Sequence, residues 1–97
     1  MAKLNAKYEA AVVFTMKQGE EAAKAAMERF SGRISRNATL DSIDEWGKRT
    51  LAYEIDDQTE GYYVFYSFTS NPSFPAELER RMKISESVLR FMITVKE

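Results

Sequence analysis

The sequence predicts a domain of the α+β class, with its elements in the order β-α-β-β-α-β, on three observations. Apolar residues change from strand-like to helix-like spacing twice, once in each half of the chain. A polar stretch from Asp56 to Gly61 divides two extended runs at the centre, which makes the middle of the chain a hairpin. No Ser/Gly-rich linker or low-complexity tract separates the halves. The 97 residues are therefore expected to form one domain, 1–97, large enough for a core without disulfide or metal staples.

The first element is the run Tyr8 to Phe14, rich in strand formers and apolar on both parities, as a central strand would be. Gly19 breaks that pattern. Glu20 and Glu21 then open a helix, their charges suited to the positive end of its dipole. Ala22 or Ala23, Ala26, Met27 and Phe30 recur at helical spacing and leave Lys24, Glu28 and Arg29 outward; Ser31-Gly32 is read as the end of the run. Met27 is read as core packing. From Arg33 to Ile55 the chain is expected to be extended, with a bend or bulge inside Asp41 to Gly47. After the polar loop, Tyr62 to Thr69 forms the return strand. Asn71-Pro72-Ser73-Phe74-Pro75 stops that strand and starts the second helix, with Pro75 at a first helical position and Phe74, Leu78 and Met82 stepping by four down one face. Ser85 to Ser87 ends it, and Val88 to Val95 is the last strand. Two β-α-β units interlocked with right-handed crossovers give the ferredoxin-like fold, a four-stranded antiparallel sheet with two helices on one face.

In that fold the other face of the sheet is left bare. If Ala10, Val12 and Phe14 point to the helices, Glu9, Ala11 and Val13 fall on the open face, beside Tyr63, Phe65 and Ser67 and beside Arg90, Met92 and Thr94. Mixed apolar and cationic surface of this kind marks a partner site. A shift of one residue would instead send Tyr62, Val64, Tyr66 and Phe68 outward.

Composition excludes several chemistries. The chain has neither cysteine nor histidine, which removes Cys and Cys/His zinc sites, thiol redox chemistry and triads built on His. The glycines at 19, 32, 47 and 61 are isolated, so no phosphate-cradling glycine loop exists. Glu20-Glu21 and Asp56-Asp57 fall at a helix start and a hairpin tip, exposed places where a raised carboxyl pKa is not expected. Asp41, Asp44 and Glu45 lack the ligand spacing and glycine of an EF-hand. No enzyme activity, cofactor, metal or small-molecule substrate is expected. Met1 to Lys7 lacks the apolar run of a signal peptide, and no stretch approaches the roughly 20 apolar residues that span a bilayer. A cytoplasmic protein with no membrane partner is the expectation.

Fourteen Lys and Arg against fifteen Asp and Glu leave a net charge of −1, unlike the clear excess of cations in a domain that holds RNA mainly through its phosphates. The cations Lys48, Arg49, Arg80 to Lys83, Arg90 and Lys96 do gather in the second half, near the aromatics. A solvated surface of mixed sign explains the same distribution. The third strand also lacks a Lys/Arg-Gly-Phe signature ahead of its aromatics, which weighs against direct base stacking.

The motif that points furthest is Trp46-Gly47-Lys48-Arg49-Thr50-Leu51-Ala52-Tyr53, followed by Gly61-Tyr62-Tyr63-Val64-Phe65. Taken alone, Trp46 reads equally as a cover for the edge of a core, and Arg49 as an edge-strand charge that discourages aggregation. With Tyr8-Glu9 before it and Leu78-Glu79-Arg80, Lys83-Ile84 and Val88-Leu89-Arg90 after it, however, the motif resembles the family of bacterial small-subunit ribosomal protein six. The likeness covers about residues 7 to 96. Glu54 stands where many members have proline, and Thr15-Met16-Lys17-Gln18 where many have an Asn-Pro-type turn.

The resemblance implies the ferredoxin-like fold and a structural role in the small ribosomal subunit, binding 16S ribosomal RNA together with ribosomal protein eighteen as a heterodimer. For the RNA contact the expected residues come from the bare sheet face, Tyr63, Phe65, Arg90 and Met92, together with the cations Lys7 and Lys96. Those implied for the partner protein are Trp46, Arg49, Leu51 and Tyr53, the last three sharing one parity. A near-neutral chain can join RNA if a basic partner supplies much of the phosphate contact. The alternative from another class is a small regulatory or self-associating module of the same fold.

Overall fold

The computed structural model describes residues 5–55 and 57–96. The expected order is present: β1 (Ala6–Thr15), α1 (Glu20–Asn37), β2 (Thr39–Ile55), β3 (Gln58–Ser70), α2 (Phe74–Ile84) and β4 (Val88–Lys96). The strands form one sheet in the order β2-β3-β1-β4, antiparallel at every join. β1 and β3 occupy the centre, as the apolar character of Tyr8 to Phe14 required.

One face of that sheet makes the core. Ala10, Val12 and Phe14 of β1 and Tyr62, Val64, Tyr66 and Phe68 of β3 are buried beneath Ala23, Ala26, Phe30 and Ile34 of α1 and Phe74, Leu78 and Met82 of α2. Aromatic rings bridge the layers, Phe14 to Phe30 at 6.0 Å and Phe68 edge-on to Phe74 at 5.6 Å. Two tyrosines bring hydroxyls into this apolar layer, and each is satisfied. Tyr66 donates to the backbone oxygen of Met27 at 2.7 Å, and Tyr62 donates to the Glu45 carboxylate. Burial first, and then the nearby Glu45 carboxylate, push both phenols well above their ordinary pKa, so both stay neutral.

The first helix is longer than its sequence suggested. Ser31-Gly32 was expected to end it, with Arg33 onward extended, yet α1 continues to Asn37 and buries Ile34 completely. Glycine inside a helix costs about 1 kcal/mol relative to alanine, whereas burying an isoleucine side chain gains about 1.5–3 kcal/mol, so the stripe 23-26-30-34 carries the helix past Gly32. The end is closed by the Ala38 amide on the Ile34 carbonyl at 2.8 Å and by the Asn37 side chain on the Arg33 carbonyl at 2.9 Å. Gly32→Ala is therefore expected to stabilise the fold by about 0.5–1 kcal/mol, because the added methyl meets only Arg36 Nη1 at an ordinary 3.7 Å. A rise in the urea midpoint checks it, and a fall would mean that Gly32 is needed for packing.

The central loop is shorter than expected. Ile55 pairs with Gln58, so the six-residue loop contracts to a two-residue turn in which Asp57 takes a positive φ of 63°, tolerated by a short polar side chain. Asp56 lies outside the described residues. The Gln58 side chain anchors the contraction: its oxygen accepts from Thr15 Oγ1 at 2.6 Å and from the Met16 amide at 3.3 Å, tying the hairpin to the end of β1. α2 begins as read. Asn71 Oδ1 accepts from the Ser73 and Phe74 amides at 3.0 and 3.1 Å, and Pro75 follows in the first turn.

Candidate partner and RNA interface

The pairing register builds the open face in rows. Val13 lies between Tyr63 and Arg90, Ala11 between Phe65 and Met92, Glu9 between Ser67 and Thr94, and Lys7 between Thr69 and Lys96. These are the odd positions of β1, whose even neighbours fill the core, so the outward parity is the first of the two weighed and Tyr62, Val64, Tyr66 and Phe68 are inward. The register thus collects Lys7, Tyr63, Phe65, Arg90, Met92 and Lys96 on one surface. Lys7 and Lys96 are direct cross-strand neighbours at one end of it, and Lys96 Nζ reaches Ser67 Oγ at 3.5 Å. Met92 is largely exposed, and Tyr63 and Phe65 are half-buried.

β2 adds the aromatic edge through a bulge. Glu45 pairs with Val64 and Gly47 with Tyr63, leaving Trp46 as the extra residue; Gly47 takes the positive φ of 84° that the bulge requires. The bulge turns Trp46 onto the sheet face, where its ring lies 4.7 Å from that of Phe65, while the Arg49 guanidinium sits 5.5 Å above the indole. Asp44 fixes the indole by accepting from Nε1 at 3.0 Å. Asp44 was not among the expected site residues; an acceptor two positions before a bulged tryptophan is the only signal the sequence offers for it. Trp46 nevertheless remains 49 % exposed, so it covers Phe65 and still presents half its surface. The Phe65–Trp46–Arg49 stack is worth about 1–2 kcal/mol as an aromatic pair plus an exposed cation–π contact, enough to hold the surface in shape before anything binds.

Beyond the bulge the hairpin bends over the open face. Leu51 is only 8 % exposed, its Cδ2 packed with Val13 over Gly61, which has no side chain to stand in the way. Leu51 therefore holds the hairpin down, whereas Arg49 and Tyr53 stay exposed. Tyr53 accepts a hydrogen bond from Arg90 Nη1, and its ring centroid lies 5.8 Å from the guanidinium. β2 and β4 are opposite edges of a four-stranded sheet, about 14 Å apart at the usual strand spacing, so this contact closes only because the hairpin arches across. Sequence reading assigned Tyr53 and Arg90 to different interfaces; in the structure they form one latch.

The arrangement offers flat aromatic and aliphatic surface edged by cations, suited to binding and not to bond making. Among the described residues no group of His, Cys, Asp or Glu is placed to hold a metal ion, Asp41, Asp44 and Glu45 included, and no helix is long and apolar enough to cross a membrane.

Comparison with known proteins bears on the family and the fold. The family model described as Ribosomal protein S6 matches residues 7–95. The chain is 44 % identical over 87 residues to the small ribosomal subunit protein bS6 of Clostridium novyi, spanning 89 % of this chain and 92 % of that protein. It is 46 % identical over 92 residues to the bS6 of Clostridium perfringens, spanning 94 % and 97 %. The crystal structure of 30S ribosomal protein S6 from Thermotoga maritima superimposes with a TM-score of 0.88 at 23 % identity, covering 96 % of this chain and 89 % of that one, which is a likeness of fold.

Proposed function

The chain belongs to the ribosomal protein S6 family, and from that premise we propose that its open sheet face binds 16S ribosomal RNA jointly with ribosomal protein eighteen. Membership makes it a structural, non-enzymatic protein of the small ribosomal subunit, and so of the cytoplasm. The observation that carries the finer reading is the collection of Lys7, Arg90 and Lys96 with Tyr63, Phe65 and Met92 on the face the helices leave bare, beside the Phe65–Trp46–Arg49 stack. The cationic rows suit phosphate, and the half-exposed Trp46 with Arg49 and Tyr53 suits a protein partner, since aromatic and arginine anchors dominate such interfaces. Leu51 serves the second set by shaping the hairpin.

Charge sets how the two partners combine. At a net charge of −1 the isolated chain releases few counterions from RNA, so its own affinity is expected to be poor at physiological salt, and the partner to supply the missing cations. A filter-binding titration tests this. Adding ribosomal protein eighteen should create tight binding with a steep salt slope, and Arg90→Ala or Lys96→Ala should weaken the ternary complex by on the order of 1 kcal/mol each. Tyr53→Ala or Arg49→Glu should weaken the protein–protein step seen by calorimetry. Tight, saturable RNA binding by the chain alone, no better with the partner present, would replace joint binding by direct action of the sheet face. Homogeneous self-association with no RNA affinity in either case would favour a self-associating module.

A further inference from the structure

The helix layer carries a second cationic feature that the sheet-face reading leaves unused. Arg29 and Arg33 stand four residues apart on α1 and so share a face, while Arg81 comes from α2; with Phe30, Ile84 and Ser85 they line a cavity of about 220 Å³ between the helices. We propose that this cavity binds a phosphate of an RNA backbone, giving the protein a second RNA contact on the side opposite its open sheet face.

Three arginines from two elements line the one cavity, so the cationic side chains are gathered from both helices instead of being spread along one. Guanidinium forks match phosphate oxygens in pairs, which lysine does not. Among the described residues, Arg81 is the one of the three that has an ion-pair partner. The two ion pairs among the described residues both use Glu77, with Arg80 at 2.8 Å and with Arg81 Nε at 3.2 Å. Hydrogen bonds from Arg80 and then Arg81 hold the Glu77 carboxyl below its ordinary pKa, but all three side chains are well exposed, and such pairs give way readily to a better anion. Arg29 donates to the neutral Ser87 hydroxyl at 3.3 Å, so its charge is not offset. Among the described residues the Arg33 guanidinium has no hydrogen-bond partner. Ile84, 73 % exposed, provides apolar ground beside the cations on which a ribose can rest. Carboxylates would satisfy the same forks; the small-subunit membership, on which this proposal rests, decides for RNA. It does not depend on the sheet face touching RNA.

A short RNA duplex titrated at low salt into the nitrogen-labelled full chain tests the site by amide shifts. Saturable shifts are expected at residues 29–33 and 81–85. Arg29→Gln combined with Arg33→Gln should lower the affinity about tenfold and reduce the log–log salt slope by about 2, with an unchanged melting temperature because neither side chain is in the core. Unchanged affinity and slope in the folded double variant would overturn the proposal. So would inorganic phosphate or polyglutamate bound as tightly as RNA, which would assign the cavity to a free anion or an acidic protein. The assembled particle gives an independent reading: because the chain has no cysteine, Ser85→Cys can carry a single photo-crosslinker into reconstituted small subunits. Crosslinks to ribosomal RNA are expected, and crosslinks to protein only, or none, would count against the site. Variants at Arg90 and Lys96 separate the two readings, since they should weaken the ternary complex while leaving the helix-face shifts in place.

Discussion

Replacing Leu78 by alanine is expected to lower the folding free energy by about 2–5 kcal/mol. Leu78 sits mid-way along α2, between Phe74 and Met82 on its inward face, and is fully buried. Truncation removes apolar surface that this helix buries against the sheet and leaves a cavity in the cluster that also holds Phe68, Phe74 and Met82. A domain of this size has about 5–15 kcal/mol of stability in all, and each kcal/mol shifts the melting temperature by about 4–8 °C, so the variant should melt at least about 8 °C lower. Urea denaturation with an unchanged slope would attribute the loss to the folded state. A loss below about 0.5 kcal/mol would mean that α2 does not seal the core with this face.

The second large effect is expected at Gly61, where a methyl group should cost about 1–3 kcal/mol through overpacking. A Cβ built there runs into Val13 Cγ1 and comes within 3.2 Å of Leu51 Cδ2. Alanine restricts the unfolded chain and returns about 0.4–1 kcal/mol, which does not offset a clash with a stiff β-branched side chain. The consequence reaches the interface, because Leu51 lies over Gly61 and two residues later Tyr53 meets Arg90. Lifting Leu51 should therefore loosen the hairpin over the sheet face and weaken partner binding as well as stability. A double-mutant cycle isolates the cause: Val13→Ala in the Gly61→Ala background should recover much of the loss. Additive losses would place the cost elsewhere than in the Gly61–Val13 approach.

Local patterns were legible wherever neighbours in sequence are also neighbours in the element. Phe74, Leu78 and Met82 spaced by four read directly as an inward face, and the polar break at Asp56 to Gly61 as a hairpin, because helical and strand periods act within a few residues. Boundaries were less legible. Gly32 carries a local cost but not the burial of Ile34 that outweighs it, and the Gln58 bonds that tighten the hairpin turn come from Thr15 and Met16, more than forty residues away.

The candidate surface divides in the same way. The sequence alone determined the element order and the two-layer architecture, whereas the run Tyr8 to Phe14 is apolar on both parities and only the packed sheet decided that Ala10, Val12 and Phe14 go inward. The sequence also supplied the motif around Trp46 from which the family follows. Only the tertiary structure decided that a bulge lays Trp46 across Phe65, that Leu51 is spent on Val13 and Gly61, that Tyr53 and Arg90 meet from opposite edges of the sheet, and that Arg29, Arg33 and Arg81 share a cavity. The physical reason is range. Periodicity and capping act over one or two turns of chain, whereas these contacts join residues on different elements and are set by sheet register, a bulge and the packing of helix on helix, which a linear pattern does not encode.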